Sequence, residues 1–274
     1  MKTFTIGYSP CPNDTFIFYG LVHKRIRDER FIFRETLLDV ETLNNLALKG
    51  AFDITKVSFH AYIYLRDRYL LLNAGGALGR GCGPLIVSKE TLKMKDLKDK
   101  KIAIPGALTT AYLLLRLYDP ELSKNAIVMP FHRILEAVRS GEVDAGLIIH
   151  ESRFTYPDYG LKEMLDLGRW WEEETGLPIP LGCVVIKRQH SDIINDIEEL
   201  IRKSIYYAFE NKDEVMPYIR ENARELDDSV IRRHIGLYVN EHSIDYGHDG
   251  KKAIDELLSR ARGLLFEDNN APVR

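Results

Sequence analysis

Four stretches of this chain join residue types that bind anions or move protons to places where a fold would present them. In Ser9-Pro10-Cys11-Pro12-Asn13-Asp14 two prolines stiffen a turn, and Asn13 or Asp14 can cap the helix that follows. In Lys56-Val57-Ser58 a strand ends at a hydroxyl; Ser58 either caps the next helix or turns its hydroxyl, with nearby backbone N–H groups, toward a ligand. In Pro105-Gly106-Ala107-Leu108-Thr109-Thr110 two hydroxyls sit at a helix start. Capping needs one of them, and the unpaired N–H groups and positive dipole end beside the other suit a carboxylate. In Gly146-Leu147-Ile148-Ile149-His150-Glu151 the histidine follows a continuous apolar run, so it emerges at the C-terminal tip of a buried strand. A histidine so placed moves protons near neutral pH. Glu151, Ser152, Arg153 and Tyr156 give it polar company, and a purely structural role stays open.

Other stretches carry less chemistry. The glycine-rich run 75–83 lacks GxGxxG order and a following Lys-Ser/Thr, so it reads as a flexible loop and not as a nucleotide cradle. Trp170-Trp171 suits an aromatic wall for a ring substrate or ordinary packing. His242, His248 and Asp249 fit no standard zinc spacing, so no metal is expected. No Gly-x-Ser-x-Gly elbow occurs, and Cys11, Cys82 and Cys183 form no CxxC pair.

The elements that must hold these residues alternate as strand, turn and helix. Strands are expected at about 3–9, 31–40 and 53–57, with helices at 15–26 and 41–49 and another opening near Ser58. A second series has strands at 101–104, 126–130 and 143–149 and helices at 111–118 and 131–140. A strand at 181–187 returns to the first series, and from about 192 the chain is helical. This predicts mostly parallel sheets flanked by helices. One echo links the two series: Leu46 to Asp53 and Glu136 to Asp144 each read as helix end, glycine, a short spacer, aspartate and an apolar strand. The glycine fits the left-handed position after a helix. The echo reads either as a feature of any αβ unit or as two similar lobes joined by crossings at 84–88 and 181–187, the plan of a type II periplasmic-binding-protein fold. The lobes would be 1–87 with 185–274, and 88–184, with a cleft between them for the active site.

Composition narrows the class. With 274 residues the chain suits two lobes, and 45% hydrophobic residues suffice for two cores. A formal net charge of -3 makes no electrostatic case for nucleic acid or an anionic membrane. No apolar run reaches the length of a spanning helix. The first residues alternate apolar and polar as a strand does and not as a signal peptide does; with an odd number of dispersed cysteines, this points to the cytoplasm.

Several long stretches, in order, resemble the 1,4-dihydroxy-6-naphthoate synthases: GYSPCPNDTFIFY at 7–19, DVETLN at 39–44, AGGALGRGCGPLIV at 74–87, GALTTAYLLL at 106–115, GEVDAGLIIHESRFTYPDYGL at 141–161 and WWEEETGLPIPLG at 170–182. The resemblance covers nearly the whole chain. It implies a type II binding-protein fold in a cytosolic carbon–carbon lyase of menaquinone biosynthesis by the futalosine route. The implied reaction converts cyclic dehypoxanthinyl futalosine to 1,4-dihydroxy-6-naphthoate and releases dihydroxyacetone, with no cofactor. The resemblance makes His150 the proton acceptor and gives contacts with a small carboxylate substrate to Lys56, Val57, Ser58, Thr109 and Thr110. Two rivals share the fold: the chorismate dehydratase of the same pathway, whose motifs differ from SPCPNDT and LIIHE, and a solute-binding protein, which would need export.

Overall fold

The computed structural model describes residues 1–91, 94–224 and 227–270. Internal contacts divide the chain into two units, Met1–Gly79 with Leu181–Gly247, and Arg80–Pro180 with the chain from His248.

The first unit opens with β1 (Lys2–Tyr8), whose alternation buries Phe4, Ile6 and Tyr8 completely. Helix α1 (Pro12–Val22) starts earlier than the sequence pattern predicts, because Pro12 occupies the helix start, where a missing N–H costs nothing. Every residue from Pro12 to Leu21 is buried, so α1 shows no polar face. There follow β2 (Phe31–Leu37), α2 (Val40–Leu48), β3 (Ile54–Ser58), α3 (Phe59–Ile63), β4 (Tyr69–Leu71) and β5 (Ala77–Gly79). The second unit contains β6 (Leu85–Ser88), β7 (Ile102–Ile104), α4 (Thr110–Tyr118), β8 (Ala126–Val128), α5 (Phe131–Ser140), β9 (Ala145–Ile148), α6 (Ser152–Thr155), β10 (Lys162–Asp166) and α7 (Leu167–Thr175). Strand β11 (Ile179–Lys187) returns to the first unit's sheet, which also carries α8 (Ile194–Glu210), α9 (Lys212–Asn222), α10 (Asp228–Tyr238) and α11 (Glu241–Ile244). The long α12 (Gly247–Asn270) ends the described chain.

Both sheets are mixed. The first runs β2-β1-β3-β11-β4, with β5 beside β11; β1 is parallel to β2 and β3, while β11 is antiparallel to β3 and β4. The second runs β10-β6-β9-β7-β8; β7 is parallel to β8 and β9, while β6 is antiparallel to β9 and β10. Helices α1, α2, α4 and α5 supply the crossovers that parallel neighbours require. Strands β6, β10 and β11 instead join neighbours that run antiparallel to them.

The unit boundaries differ from the sequence expectation of 88–184. The contacts fall apart at Gly79/Arg80 and Pro180/Leu181, and the chain from His248 groups with the second unit. Helix α12 buries Ala253, Ile254, Leu257, Leu258 and Ala261 at three-to-four spacing, and the Arg260 guanidinium lies 5.4 Å from the Trp171 ring centroid. The periodicity fixes the buried face of a helix but not its partner.

Candidate functional site

In the first unit, β1 and β3 are parallel neighbours, so the turn after Tyr8 and the tip at Ser58 leave the same end of the sheet. Asp14 does not cap α1; Cys11 occupies that position and makes no side-chain cap bond. The Asp14 carboxylate instead turns back on its own loop. Its Oδ2 accepts from Ser9 N at 3.2 Å and Ser9 Oγ at 2.7 Å. Its Oδ1 accepts from Asn13 Nδ2 at 2.9 Å and pairs with Lys56 Nζ at 2.9 Å. Lys56 Nζ also donates to Gly75 O at 2.7 Å. Both charged side chains are almost fully buried, a state that needs this density of partners.

Ser58 precedes α3 but makes no cap bond. The fully buried Asn44 on α2 brackets it: Ser58 N donates to Asn44 Oδ1 at 2.9 Å, and Asn44 Nδ2 donates to Ser58 Oγ at 3.1 Å. Since Oγ accepts from Asn44, the hydroxyl proton is turned away from it. Val57 is fully buried and alternates to the opposite face of β3 from Lys56 and Ser58, so only its backbone could meet a ligand on their side.

In the second unit, β7 and β9 are parallel neighbours, so the turns carrying Thr109, Thr110 and His150 leave one end of that sheet. Thr109 is the cap of α4: Oγ1 accepts from Tyr112 N at 3.3 Å and donates to Gly106 O at 2.8 Å. Thr110 is the first helical residue, buried, at the positive end of α4. The pair thus divides as capping chemistry requires, with Thr110 in the position suited to an anion.

His150 follows β9, is half-buried, and has φ +57. Left-handed backbone at a residue other than glycine costs about 1–2 kcal/mol, and such positions gather at functional sites. Its ring lies 5.1 Å from that of Phe131, tilted by 56°. The turn is closed by Arg153 N donating to His150 O at 3.3 Å. Arg153 then clamps it: Nη1 donates to Gly83 O at 2.6 Å, and Nη2 donates to Asp166 Oδ2 at 2.6 Å. Asp166 Oδ1 in turn caps α7, accepting from Gly168 N and Arg169 N. Glu151 beside the histidine is buried.

Asn44, the Asp14 cluster and the Arg153–Asp166 clamp escaped the sequence reading, because each joins residues from different elements. The glycine-rich run is packed at Gly76 and Gly83 and open at the exposed Gly81. A Cβ on Gly76 would lie 2.4 Å from the Tyr246 ring, and one on Gly83 would lie 2.2 Å from Gly168 Cα. Trp171 is core, with Nε1 donating to Pro178 O at 3.0 Å, while Trp170 meets Tyr118 edge-on. Burial pushes the Cys82 thiol up to about 12 and raises the Cys183 thiol too, the setting of inert buried cysteines. Among the described residues no helix is long and apolar enough to cross a membrane.

A family model described as menaquinone biosynthesis matches residues 4–263. A Thermus thermophilus protein named 1,4-dihydroxy-6-naphtoate synthase is 48% identical over 267 residues, 96% of each chain. A Streptomyces coelicolor protein of the same name is 44% identical, covering 94% of this chain and 93% of its own. A crystal structure of an Archaeoglobus fulgidus protein superposes with a TM-score of 0.90 at 37% identity, covering 96% of this chain and 98% of that one. The alkanesulfonate-binding protein of Xanthomonas axonopodis pv. citri, bound to MOPS, superposes with a TM-score of 0.67 at 15% identity over 96% of this chain and 94% of its own, a likeness of fold alone.

Proposed function

This chain belongs to the menaquinone-biosynthesis family, and on that footing we propose that it is a cytoplasmic carbon–carbon lyase, a 1,4-dihydroxy-6-naphthoate synthase. It takes cyclic dehypoxanthinyl futalosine to 1,4-dihydroxy-6-naphthoate and dihydroxyacetone. The observation that carries this reading is the match along almost the whole chain to two relatives that bear one name. A cytoplasmic setting accords with the unbridged thiols of Cys82 and Cys183.

The chemistry asks for a proton to leave a carbon beside a carbonyl and for a retro-aldol-like cleavage toward an aromatic ring. In this reading His150 accepts that proton. Its left-handed backbone and the Arg153 clamp fix where the imidazole starts. Thr110, with the positive end of α4, and Lys56 hold negative charge on the substrate, Thr109 shapes the turn, and Ser58 donates its hydroxyl proton. Val57 contributes through its backbone. Incubating the purified protein with cyclic dehypoxanthinyl futalosine should yield the naphthoate and dihydroxyacetone in equal amounts. Dehydration of chorismate in place of that reaction would move the chain to the sister enzyme.

A further inference from the structure

The first unit carries a buried run of polar groups, His234, Asn13 and Asp14, that has no part in the proposed reaction itself and ends on Lys56. His234, on α10 and fully buried, places Nε2 2.9 Å from Asn13 Oδ1. Asn13 is buried and passes the contact on, with Nδ2 donating to Asp14 Oδ1 at 2.9 Å. Asp14 Oδ1 also meets Lys56 Nζ at 2.9 Å.

Chemistry fixes the direction of this run. An ionised carboxylate only accepts, so Asn13 must aim its NH2 at Asp14. Its carbonyl oxygen therefore faces α10, and His234 Nε2 must carry the proton. The Asp14 carboxylate then receives four donors: Ser9 N, Ser9 Oγ, Asn13 Nδ2 and Lys56 Nζ. A carboxylate has about four lone-pair sites, so this one is saturated and cannot rotate without losing a bond. An ammonium has three donors. Lys56 gives one to Asp14 and one to Gly75 O, and both acceptors fix the direction of the third.

We propose that His234 is a positioning residue for substrate binding. Acting through Asn13, it holds the Asp14 carboxylate in the one rotation that aims the remaining Lys56 N–H at a carboxylate of the substrate. This rests on the reading of Lys56 as a substrate contact. Without the Nε2 proton, the Asn13 oxygen is left buried without its donor. The carboxamide then turns to find another, and Asp14 and Lys56 follow it.

The test compares wild type with His234→Leu, His234→Gln and Asn13→Ala, reading melting temperature, kcat and KM for cyclic dehypoxanthinyl futalosine, and the 15N–1H resonance of the Lys56 ammonium assigned by its loss in Lys56→Met. His234→Leu and Asn13→Ala should raise KM about tenfold, as expected when a hydrogen bond to a charged group is misdirected, while kcat changes little. Both should shift the ammonium resonance. His234→Gln, whose amide can donate to Asn13 Oδ1, should recover most of the KM and return the resonance toward its wild-type position. A folded His234→Leu protein with wild-type KM and an unmoved resonance would overturn the proposal, as would equal losses in the leucine and glutamine variants. Should His234→Leu fail to fold, Asn13→Ala decides by the same two readouts. A wild type that does not turn over the substrate refutes the proposed function; the ammonium resonance still decides whether His234 orients Lys56.

Discussion

The two units share one piece of construction and differ at its tip. In the first, Gly50 with φ +71 follows the end of α2, and Asp53 precedes β3. In the second, α5 ends at Gly141 with φ +81, and Asp144 precedes β9. Each aspartate does the same work. Asp53 Oδ2 accepts from Thr5 N at 3.0 Å and Asp53 N donates to Thr5 O at 3.1 Å. Asp144 Oδ2 accepts from Lys101 N at 2.9 Å and Asp144 N donates to Lys101 O at 3.0 Å. This double clasp ties each strand to its parallel neighbour. Beyond it the strands diverge. β3 ends in Lys56 and Ser58, both held by buried partners, which is a design for fixed charge and fixed donors. Two residues past β9 stands a half-buried histidine on strained backbone, the group that the proposed reaction would use as its base. A common frame sets position, and in the proposed function the few residues past the clasp would decide whether a tip binds or reacts.

Breaking the fixed-charge tip should have the largest effect on stability. Asp14→Ala leaves Lys56 as a buried charge without its anion, and unfolding in urea should show a loss of about 3–5 kcal/mol. A loss near zero would mean the pair is solvated and the first tip is not rigid. Thr110→Val removes a hydroxyl at the positive end of α4 while the backbone and dipole remain. Substrate binding should weaken by about 1.5–3 kcal/mol, read as a rise in KM. An unchanged KM with a collapsed kcat would place Thr110 at the reacting centre instead.

The strain at the second tip can be read without substrate. His150→Gly should be more stable than His150→Ala by about 1 kcal/mol in chemical denaturation, since only glycine takes φ +57 without a steric penalty. Equal stabilities would remove strain from the comparison. The smallest effect belongs to the clasp. Burial alone would raise the Asp53 carboxyl, but the hydrogen bonds from Thr5 N and Oγ1, with His190 and Lys187 nearby, outweigh it and hold the group below the usual range. A depressed folded pKa contributes stability above the unfolded value, near 3.9, and loses it as pH falls through the folded value. Wild type should therefore exceed Asp53→Asn by at most about 1 kcal/mol at neutral pH, because the group is partly exposed. The gap should close in acid; a gap independent of pH would assign the effect to packing.

Much of the frame was legible because it is periodic or local. The alternation of β1 is written in Phe4, Ile6 and Tyr8, and the left-handed glycines at 50 and 141 follow from helix ends that need them. His150 was legible as a strand tip because the apolar run before it is continuous, but its φ was not, since left-handed backbone favours glycine and the sequence carries histidine there. Lys56 and Asp14 lie far apart in sequence, so local chemistry reads the aspartate as a helix cap and misses the pair. Of the two readings open for Ser58, the cap fails, and its hydrogen-bond partner Asn44 is on α2. Strand β10 was missed because its first residues are exposed and charged, without the alternation that marks a half-buried strand.

Substrate binding to His150→Asn, measured beside its turnover, tests most directly the division between a tip that binds and a tip that reacts. A positioned general base contributes on the order of 10²–10⁴-fold, so kcat should fall at least that far. Calorimetric titration of cyclic dehypoxanthinyl futalosine into the same folded variant should give an affinity close to that of the wild-type protein. Near-wild-type kcat, or a loss of binding that matches the loss of turnover, would contradict the account.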